Sequence, residues 1–300
     1  MYQAKRGYKY MLSKEVTIGF VGTGVMGKSM AANLMDAGYS VIVYSRTKQK
    51  AQELLKNGAE WMDTIAKLAS SSDIIITMVG YPSDLEDIYY GEYGILESAK
   101  PGTFTVDMTT SKPSLAKEIY KKAKEKNIYA LDAPVSGGDI GAKSGKLAIM
   151  VGGDEEAFTN ILPLFEIMGE NIILQGSAGA GQYTKMANQI TIASNMIGVC
   201  EAIMYAKKAG LDPERVLQSI ATGAAASFSL SKLGPRMLEG DYEPGFYVKH
   251  FIKDMTIALE SAEELGLVTP GLSLSLKLYK ELAEKGGEDS GTQALIKLFE

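Results

Sequence analysis

The sequence contains few of the residues on which much enzyme chemistry depends. Its 300 residues include one cysteine, Cys200, and one histidine, His250. A single cysteine excludes an intramolecular disulfide and a cysteine-rich metal site, and we expect Cys200 to be a small buried residue. Every Ser-His or Cys-His pair, and every multi-histidine zinc site, would have to use His250. Hydrolase chemistry is therefore disfavoured, no metal site is predicted, and we expect a structural or peripheral role for His250.

The sequence also lacks long runs of basic residues and long runs of apolar residues. The net charge is −5 and no long block of Lys and Arg occurs, which argues against a nucleic acid or an anionic membrane as partner. No run approaches the roughly 20 apolar residues that a membrane span requires. Met1–Lys14 is basic but lacks the apolar segment of a signal peptide, so we set it aside as a leader or upstream extension. We expect a cytoplasmic protein that binds a small molecule.

What the sequence does contain is an alternation of short β-branched runs with helical patterns from residue 16 onward. This alternation is typical of βαβ units that build a parallel sheet. One helix follows the first strand and another covers Pro113–Glu125. Five strands are predicted, at Val16–Val21, Val41–Tyr44, Asp73–Met78, Thr103–Asp107 and Ile128–Leu131.

The character of the sequence changes near residue 178, where long helical patterns replace the strand-like runs. The first of them predicts one helix over Gln182–Ala209, and others lie near 212–222, 248–265 and 270–285. We predict two domains, an α/β domain over 15–178 and an all-helical domain over 179–300. A mostly apolar helix of that length cannot bury every side within its own domain, so we also predict a homodimer or homotetramer.

A glycine-rich loop follows the first predicted strand and opens a helix. It reads Gly22-Thr23-Gly24-Val25-Met26-Gly27. In this context the first glycine permits a tight turn, the second lets a pyrophosphate approach the backbone, and the third lets helix and strand pack closely. The helix N-terminus adds amide donors for the phosphates. The loop predicts dinucleotide binding, and the first domain is therefore of the Rossmann type.

The residues after the second strand bear on which dinucleotide is bound. A site selective for NAD usually has Asp or Glu there, whereas this sequence continues Ser45-Arg46-Thr47-Lys48. The planar guanidinium of Arg46 can bind a 2′-phosphate through charge-assisted hydrogen bonds. We predict NADP, with NAD as an alternative, and ordinary solvated charges at Arg46 and Lys48 remain open.

Two further stretches could carry chemistry. Ser136-Gly137-Gly138 follows the last predicted strand, at the sheet edge where α/β folds bind ligands, and could bind a carboxylate. Lys185 shares one face of the long helix with Asn188 and Gln189, and its ammonium group could protonate a carbonyl oxygen. From the residues alone, a loop without a ligand remains equally open, and a solvated surface charge is the favoured interpretation of Lys185.

Four motifs in this order resemble the β-hydroxyacid dehydrogenase family. They are GFVGTGVMG, DAPVSGG, the pattern GxGQxxKxxNQ and the late pair Lys253-Asp254, and the resemblance covers residues 16–300. The family includes 3-hydroxyisobutyrate dehydrogenase, tartronate semialdehyde reductase and glyoxylate/succinic semialdehyde reductases. The resemblance implies an NAD(P)-dependent enzyme that interconverts a small 3-hydroxy acid and its semialdehyde. It also implies a second domain like the helical domain of 6-phosphogluconate dehydrogenase.

The resemblance implies roles at single positions. Lys185 corresponds to the catalytic lysine, and Ser136, Gly137 and Gly138 correspond to the loop that binds the substrate carboxylate. Asn188 and Gln189 correspond to a catalytic amide pair that often reads Asn-Asn. Other cofactor contacts are implied at Met78, Val79, Thr109 and Lys253, and other substrate contacts at Thr110, Phe246 and Asp254.

Three alternatives share parts of this pattern. An imine reductase has the same architecture but typically lacks the lysine of the long helix, and 6-phosphogluconate dehydrogenase needs a longer helical domain. A non-catalytic nucleotide-sensing module would be expected to have lost Lys185 or the glycine loop. Four substrates remain open, namely glyoxylate, succinic semialdehyde, tartronate semialdehyde and methylmalonate semialdehyde. Phe246 and Asp254 favour the first two.

Overall fold

The structure, a computed structural model, describes residues 13–300. Most of the proposed leader, residues 1–12, lies outside the described residues. The described chain forms two compact units, the first ending at Lys185 and the second comprising Met186–Glu300. In residues 13–300 no helix is both long and apolar enough to cross a membrane.

The first unit is built on a nine-stranded sheet of order β3-β2-β1-β4-β5-β6-β8-β7, with β9 paired to β8. Strands β1 to β6 pair in parallel with one another, while β8 runs antiparallel to β6 and β7. The strands are β1 (Thr17–Val21), β2 (Ser40–Tyr44), β3 (Glu60–Trp61), β4 (Ile74–Thr77), β5 (Phe104–Asp107), β6 (Tyr129–Asp132), β7 (Val135–Ser136), β8 (Leu147–Gly152) and β9 (Gly169–Gly176).

Helices cover both faces of this sheet. Because side chains alternate along a strand, Ile74 and Ile76 pack into one core and Ile75 packs into the other. Because β1 to β6 are parallel, their carboxyl ends form one edge of the sheet, from which the loops of the site emerge. The helices are α1 (Val25–Asp36), α2 (Gln52–Lys56), α3 (Ile65–Ser71), α4 (Pro82–Tyr90), α5 (Ile95–Ser98), α6 (Pro113–Glu125), α7 (Gly138–Ser144) and α8 (Glu155–Met168), with a 3₁₀ helix at Lys48–Ala51.

The second unit is helical and has its own core, in which Phe251 and Tyr279 pack edge to face. The division between the units falls within its first helix, α9. The helices are α9 (Ala180–Lys208), α10 (Pro213–Ile220), α11 (Gly234–Glu239), α12 (Val248–Glu264) and α13 (Pro270–Leu282), with π-helical turns at Ser229–Leu233 and Ala283–Gly287 and a 3₁₀ helix at Thr292–Leu298.

The predicted fold class, a Rossmann-type domain followed by helices, is confirmed. The five predicted strands correspond to β1, β2, β4, β5 and β6. The sequence analysis missed β3, β7, β8 and β9. Because β8 runs antiparallel to β6 and β7, the sheet is not wholly parallel. The physical reason is that β8 continues from β7 through a short helix and reverses direction, so its region lacks the long βαβ period.

Candidate active site

The glycine loop Gly22–Gly27 joins β1 to α1, as predicted. A Cβ atom at Gly22 would lie 2.2 Å from the carbonyl oxygen of Met78, and Gly22 also has φ +99°. A Cβ atom at Gly27 would lie 2.0 Å from the carbonyl oxygen of Gly22. These two glycines are therefore required by the fold itself, because a larger residue at either position would push the loop away from β4 or α1.

Gly24 and Thr23 are different, because the fold does not account for them. A Cβ atom at Gly24 would meet no heavy atom within 4 Å. The Thr23 hydroxyl is buried and has no hydrogen-bond partner in the described chain. The first turn of α1 contains no acidic residue and its N-cap has no side-chain hydrogen bond. Open space, an unpaired hydroxyl and the amides of a helix N-terminus together fit the diphosphate of a dinucleotide.

The other two positions of this loop lie on α1. Val25 is the first residue of the helix and is exposed, while Met26 packs against the core of the first unit. Their backbone amides belong to the first helical turn, whose N–H groups have no partners within the helix.

Ser45, Arg46 and Thr47 follow β2, and Arg46 has a partner that the sequence did not predict. Its Nη1 lies 2.8 Å from Oδ1 of Asp84, the third residue of α4. The Arg46 side chain is 79% exposed, so this surface ion pair has little strength and leaves part of the guanidinium accessible. A carboxylate is thus present beside the predicted 2′-phosphate position, although it comes from α4 and not from the residues after β2.

Thr109 lies just after the carboxyl end of β5 and ties this loop to the loop after β4. Its hydroxyl accepts a hydrogen bond from the Val79 amide at 3.1 Å, and its own amide donates to Asp107 Oδ1 at 3.0 Å. Asp107 also accepts from the Thr77 hydroxyl at 2.8 Å. Burial raises the pKa of Asp107 to about 7, although the hydrogen bonds from Thr109 and Thr77 oppose this shift. Met78 and Thr110, next to this network, are half-buried.

Lys185 is held beside the predicted carboxylate loop. Its side chain points into the first unit, where Nζ donates to the carbonyl oxygen of Val135 at 2.8 Å, and the residue is only 6% exposed. Ser136 follows Val135 directly. Gly137 and Gly138 have φ values of +133° and +64°, which L side chains rarely adopt. The structure therefore brings the predicted proton donor and the predicted carboxylate loop together.

In the second unit, four predicted residues form one hydrogen-bonded series, which we call the polar chain. Lys253 Nζ lies 2.9 Å from Asp254 Oδ1, and Asp254 Oδ2 accepts from Gln189 Nε2 at 2.7 Å. Gln189 Oε1 in turn accepts from Asn188 Nδ2 at 2.7 Å. Asp254 and Gln189 are almost fully buried. Gln189, which departs from the family's usual Asn, is long enough to bind Asp254.

The remaining candidates of the second unit occupy its core or its edge. Phe246 is partly exposed and packs against Phe251 with ring centroids 5.7 Å apart. His250 is half-buried, and burial, with a smaller effect of Lys253, lowers its pKa. Cys200 is buried, and burial raises the pKa of its thiol to about 12, as expected for an unreactive residue. Among the described residues, no group of three or more His, Cys, Asp or Glu could hold a metal ion.

The sequence analysis missed three functional candidates in the first unit, Asp107, Asp132 and Gln182. All three are buried polar residues that bond to the loops described above or to the start of α9. Burial also raises the pKa of Asp132. A polar residue at the end of each of two predicted buried strands, and a glutamine inside a motif that already contained Lys185, were the available signals.

The fold and this site define an oxidoreductase that uses a nicotinamide dinucleotide. The profile of the NAD binding domain of 6-phosphogluconate dehydrogenase matches residues 17–176. A second profile, NAD-binding of NADP-dependent 3-hydroxyisobutyrate dehydrogenase, matches residues 179–299. The chain belongs to the β-hydroxyacid dehydrogenase family and is an NAD(P)-dependent hydroxyacid dehydrogenase, acting on CH–OH groups.

Individual relatives agree with this assignment. The chain is 63% identical to the uncharacterized oxidoreductase YkwC of Bacillus subtilis, over 94% of this chain and 98% of the relative. It is 41% identical to 2-hydroxy-3-oxopropionate reductase of Escherichia coli, over 94% and 97%. Among solved structures, 3-hydroxyisobutyrate dehydrogenase of Mycobacterium tuberculosis with L-serine has a TM-score of 0.87, 30% identity and coverage of 95% and 99%.

Proposed function

We propose that this enzyme interconverts a small 3-hydroxy acid and its semialdehyde, prefers NADP(H), and uses Lys185 as its general acid and base. The observation that carries the proposal is the 2.8 Å hydrogen bond from Lys185 Nζ to Val135, the residue before Ser136. It brings an ammonium group next to a loop with the backbone geometry to bind a carboxylate. A substrate with a carboxylate and a nearby carbonyl matches this pair of groups.

The chain's own residues account for binding and proton transfer. The loop Gly22–Gly27 and the amides of α1 would hold the diphosphate, and Val79 and Thr109 would lie along the nicotinamide. The bound nicotinamide would supply or accept the hydride. During reduction, the Lys185 ammonium donates a proton to the carbonyl oxygen as the hydride reaches the carbon, and the amine remains. During oxidation the amine takes the hydroxyl proton back.

The direct test is Lys185→Met, which removes the charge and keeps most of the side-chain length. We expect kcat to fall by about 10³-fold, within the range for loss of a general acid. The Kd for NADPH, measured by nicotinamide fluorescence, should stay within threefold of wild type. Lys208→Met, at the exposed end of the same helix, is the matched control and should leave both values unchanged. Unchanged kcat in Lys185→Met would contradict the proposal.

The preference for NADP(H) rests on Arg46 and its neighbours Ser45 and Thr47. In support, Arg46 is largely exposed, and its ion pair with Asp84 uses only part of the guanidinium. We expect Arg46→Ser to weaken NADPH binding about tenfold, the value of one lost charge-assisted interaction, with little effect on NADH. Titration with 2′,5′-ADP and with 5′-AMP separates the phosphate contribution from the rest. Equal losses for both ligands would count against the proposal.

The substrate class is a short oxo acid. The names of the relatives support this, since one acts on 2-hydroxy-3-oxopropionate and another on 3-hydroxyisobutyrate. Phe246 and Asp254 together favoured glyoxylate and succinic semialdehyde as substrates. Because Asp254 is held inside the polar chain, this preference now rests on Phe246 alone. Oxidation of NADPH at 340 nm with glyoxylate and with succinic, tartronate and methylmalonate semialdehydes ranks these candidates.

We also propose that the enzyme is a homodimer or a pair of dimers that associate through α9. An exposed stripe on this helix supports the proposal, because its small side chains would let a second helix approach closely. The stripe consists of Ala187, Thr191, Ser194 and Gly198, and the larger exposed residues Glu201 and Tyr205 continue it. Sedimentation should give a dimer or tetramer at micromolar concentration, and Gly198→Arg should give monomers. A wild-type monomer would refute this.

A further inference from the structure

The start of α9 receives a carboxylate from the chain itself. Asp132, at the end of β6, accepts hydrogen bonds from the Gly179 amide at 2.7 Å and from the Gln182 amide at 2.8 Å. Cβ atoms at Gly152 or Gly181 would lie 2.5 and 2.8 Å from its carboxylate oxygens. The first turn of α9 is therefore fixed against the end of β6 with almost no free space.

Gln182 connects the same turn to a second loop. Its Oε1 accepts from the Ser111 amide at 2.9 Å, and its Nε2 donates to the Thr109 carbonyl at 2.7 Å. The side chain is completely buried. These partners lie 71 and 73 residues earlier in the sequence. Helix capping by Asp132 would not require them, so the amide of Gln182 has a separate task.

Lys185 lies three residues after Gln182, on the next turn of α9. The backbone of this segment is therefore tied to β6 by Asp132 and to the Thr109–Ser111 loop by Gln182. Lys185 Nζ, bonded to Val135, then has a fixed distance from both loops that the proposed function assigns to ligands. A shift of about 1 Å at such a group can reduce a rate 100-fold.

We propose that Gln182, supported by Asp132, is a positioning residue that holds Lys185 for proton transfer. The inference rests on the proposed role of Lys185. Gln182 touches neither cofactor nor substrate in this scheme and acts through the backbone of α9. Its effect should therefore fall on kcat, while KM for the oxo acid and Kd for NADPH stay within threefold of wild type.

The sharpest test is Gln182→Glu, which preserves the shape of the side chain. An ionised carboxylate still accepts from Ser111 but cannot donate to the Thr109 carbonyl, whereas a protonated carboxyl does both. Burial raises the pKa of such a group, so lowering the pH from 8.5 to 6 should restore the donor. We expect kcat about 100-fold below wild type at pH 8.5 and at least a tenfold recovery relative to wild type, by about pH 6.

Two comparison variants separate positioning from packing. Gln182→Met fills the space without hydrogen bonds and should lower kcat at every pH without recovery. Gln218→Glu, on the exposed face of α10, should follow wild type throughout. If Gln182→Met does not fold, Asp132→Asn replaces it, because its amide would oppose an N–H group of the first turn of α9. A kcat within threefold of wild type in the Gln182 variants, or a loss in Gln182→Glu that does not depend on pH, would overturn the inference.

Amide hydrogen exchange gives a readout that needs no turnover. The Ser111 amide should exchange at least about tenfold faster in Gln182→Met than in wild type, because it loses its acceptor. An unchanged exchange rate would contradict the role of Gln182 even if no substrate were found. A different pair of results would count against the proposed function. In that case wild type reduces none of the oxo acids, although the Ser111 amide exchanges faster in Gln182→Met than in wild type.

Discussion

The buried polar side chains of the candidate site are satisfied differently in the two units. In the first unit, Asp132 and Gln182 bond to backbone amide and carbonyl groups, and Asp107 accepts from one backbone amide and one hydroxyl. In the second unit, the members of the polar chain bond to one another's side chains. Backbone hydrogen-bonding groups are present in any sequence that adopts the fold. A hydrogen bond between two side chains instead requires a suitable residue at both positions. The first arrangement therefore fixes geometry, and the second can be altered residue by residue.

Gly181→Ala should break the backbone-anchored arrangement and have the largest effect. The added Cβ would lie 2.3 Å from the Met150 carbonyl oxygen and 2.6 Å from that of Asp132, and neither backbone atom can move freely. We expect a loss of about 3 kcal/mol or more in the free energy of unfolding, measured by urea denaturation. The control Lys121→Gly, exposed on α6, should cost only about 1 kcal/mol. Equal losses in the two variants would contradict the tight fit.

Asp107→Asn tests how much the burial of an ionised carboxylate in the first unit reduces the free energy of unfolding. The pKa of Asp107 is raised to about 7 in the folded protein, from 3.8 ordinarily. Between these values the folded state keeps a proton that the unfolded state releases, so wild type loses stability as the pH rises towards 7 and then levels off. The variant lacks this loss, and its advantage should grow by on the order of 2 kcal/mol between pH 5 and 8.

Urea unfolding of wild type and Asp107→Asn across this pH range measures the difference directly. Asp36→Asn, at the exposed end of α1, serves as the control and should show no such trend. A difference between Asp107→Asn and wild type that is constant with pH would mean that Asp107 is ionised throughout, and that its hydrogen bonds outweigh the effect of burial.

Gln189→Asn addresses the side-chain arrangement of the second unit. Shortening the residue by one methylene withdraws its amide from Asp254, which it now reaches at 2.7 Å. We expect kcat/KM to fall about tenfold, the equivalent of one lost hydrogen bond to a charged group. Adding Asp254→Glu returns the missing methylene from the other side and should recover most of the loss. If the double variant is no better than Gln189→Asn, the pair is not coupled in this way.

The same contrast explains what could be predicted from the sequence. Five of the six parallel strands β1 to β6 and the long helix follow from periodicity, and the glycine loop follows from its position between β1 and α1. The roles of Lys185 and Ser136 required resemblance to a family, because a lysine on a helix and a glycine-rich loop are common. Periodicity could not predict β8 and β9, since their pairing depends on a reversal of direction after β7.

Contacts between distant positions were beyond the sequence. Asp84 approaches Arg46 across 38 residues, and Gln182 bonds to partners more than 70 residues away. In the sequence, Asp84 and Gln182 are ordinary polar residues. Their partners are determined only by the folded chain. By contrast, the members of the polar chain were predicted individually, but the reach of Gln189 to Asp254 depends on how α9 and α12 pack.

Asp84→Asn should have the smallest effect and marks the limit of the comparison, because here the first unit relies on a side-chain pair. Asp84 neutralises part of Arg46 and would repel a 2′-phosphate, so its removal should raise the preference for NADPH over NADH by about threefold or less, as for other exposed pairs. The asparagine can still accept from the Tyr81 amide, which keeps the start of α4 intact. Kd values for both cofactors, measured by fluorescence, give the ratio. A tenfold fall in NADPH preference would instead mean that Asp84 holds Arg46 in its binding position, and that even this exposed pair fixes geometry.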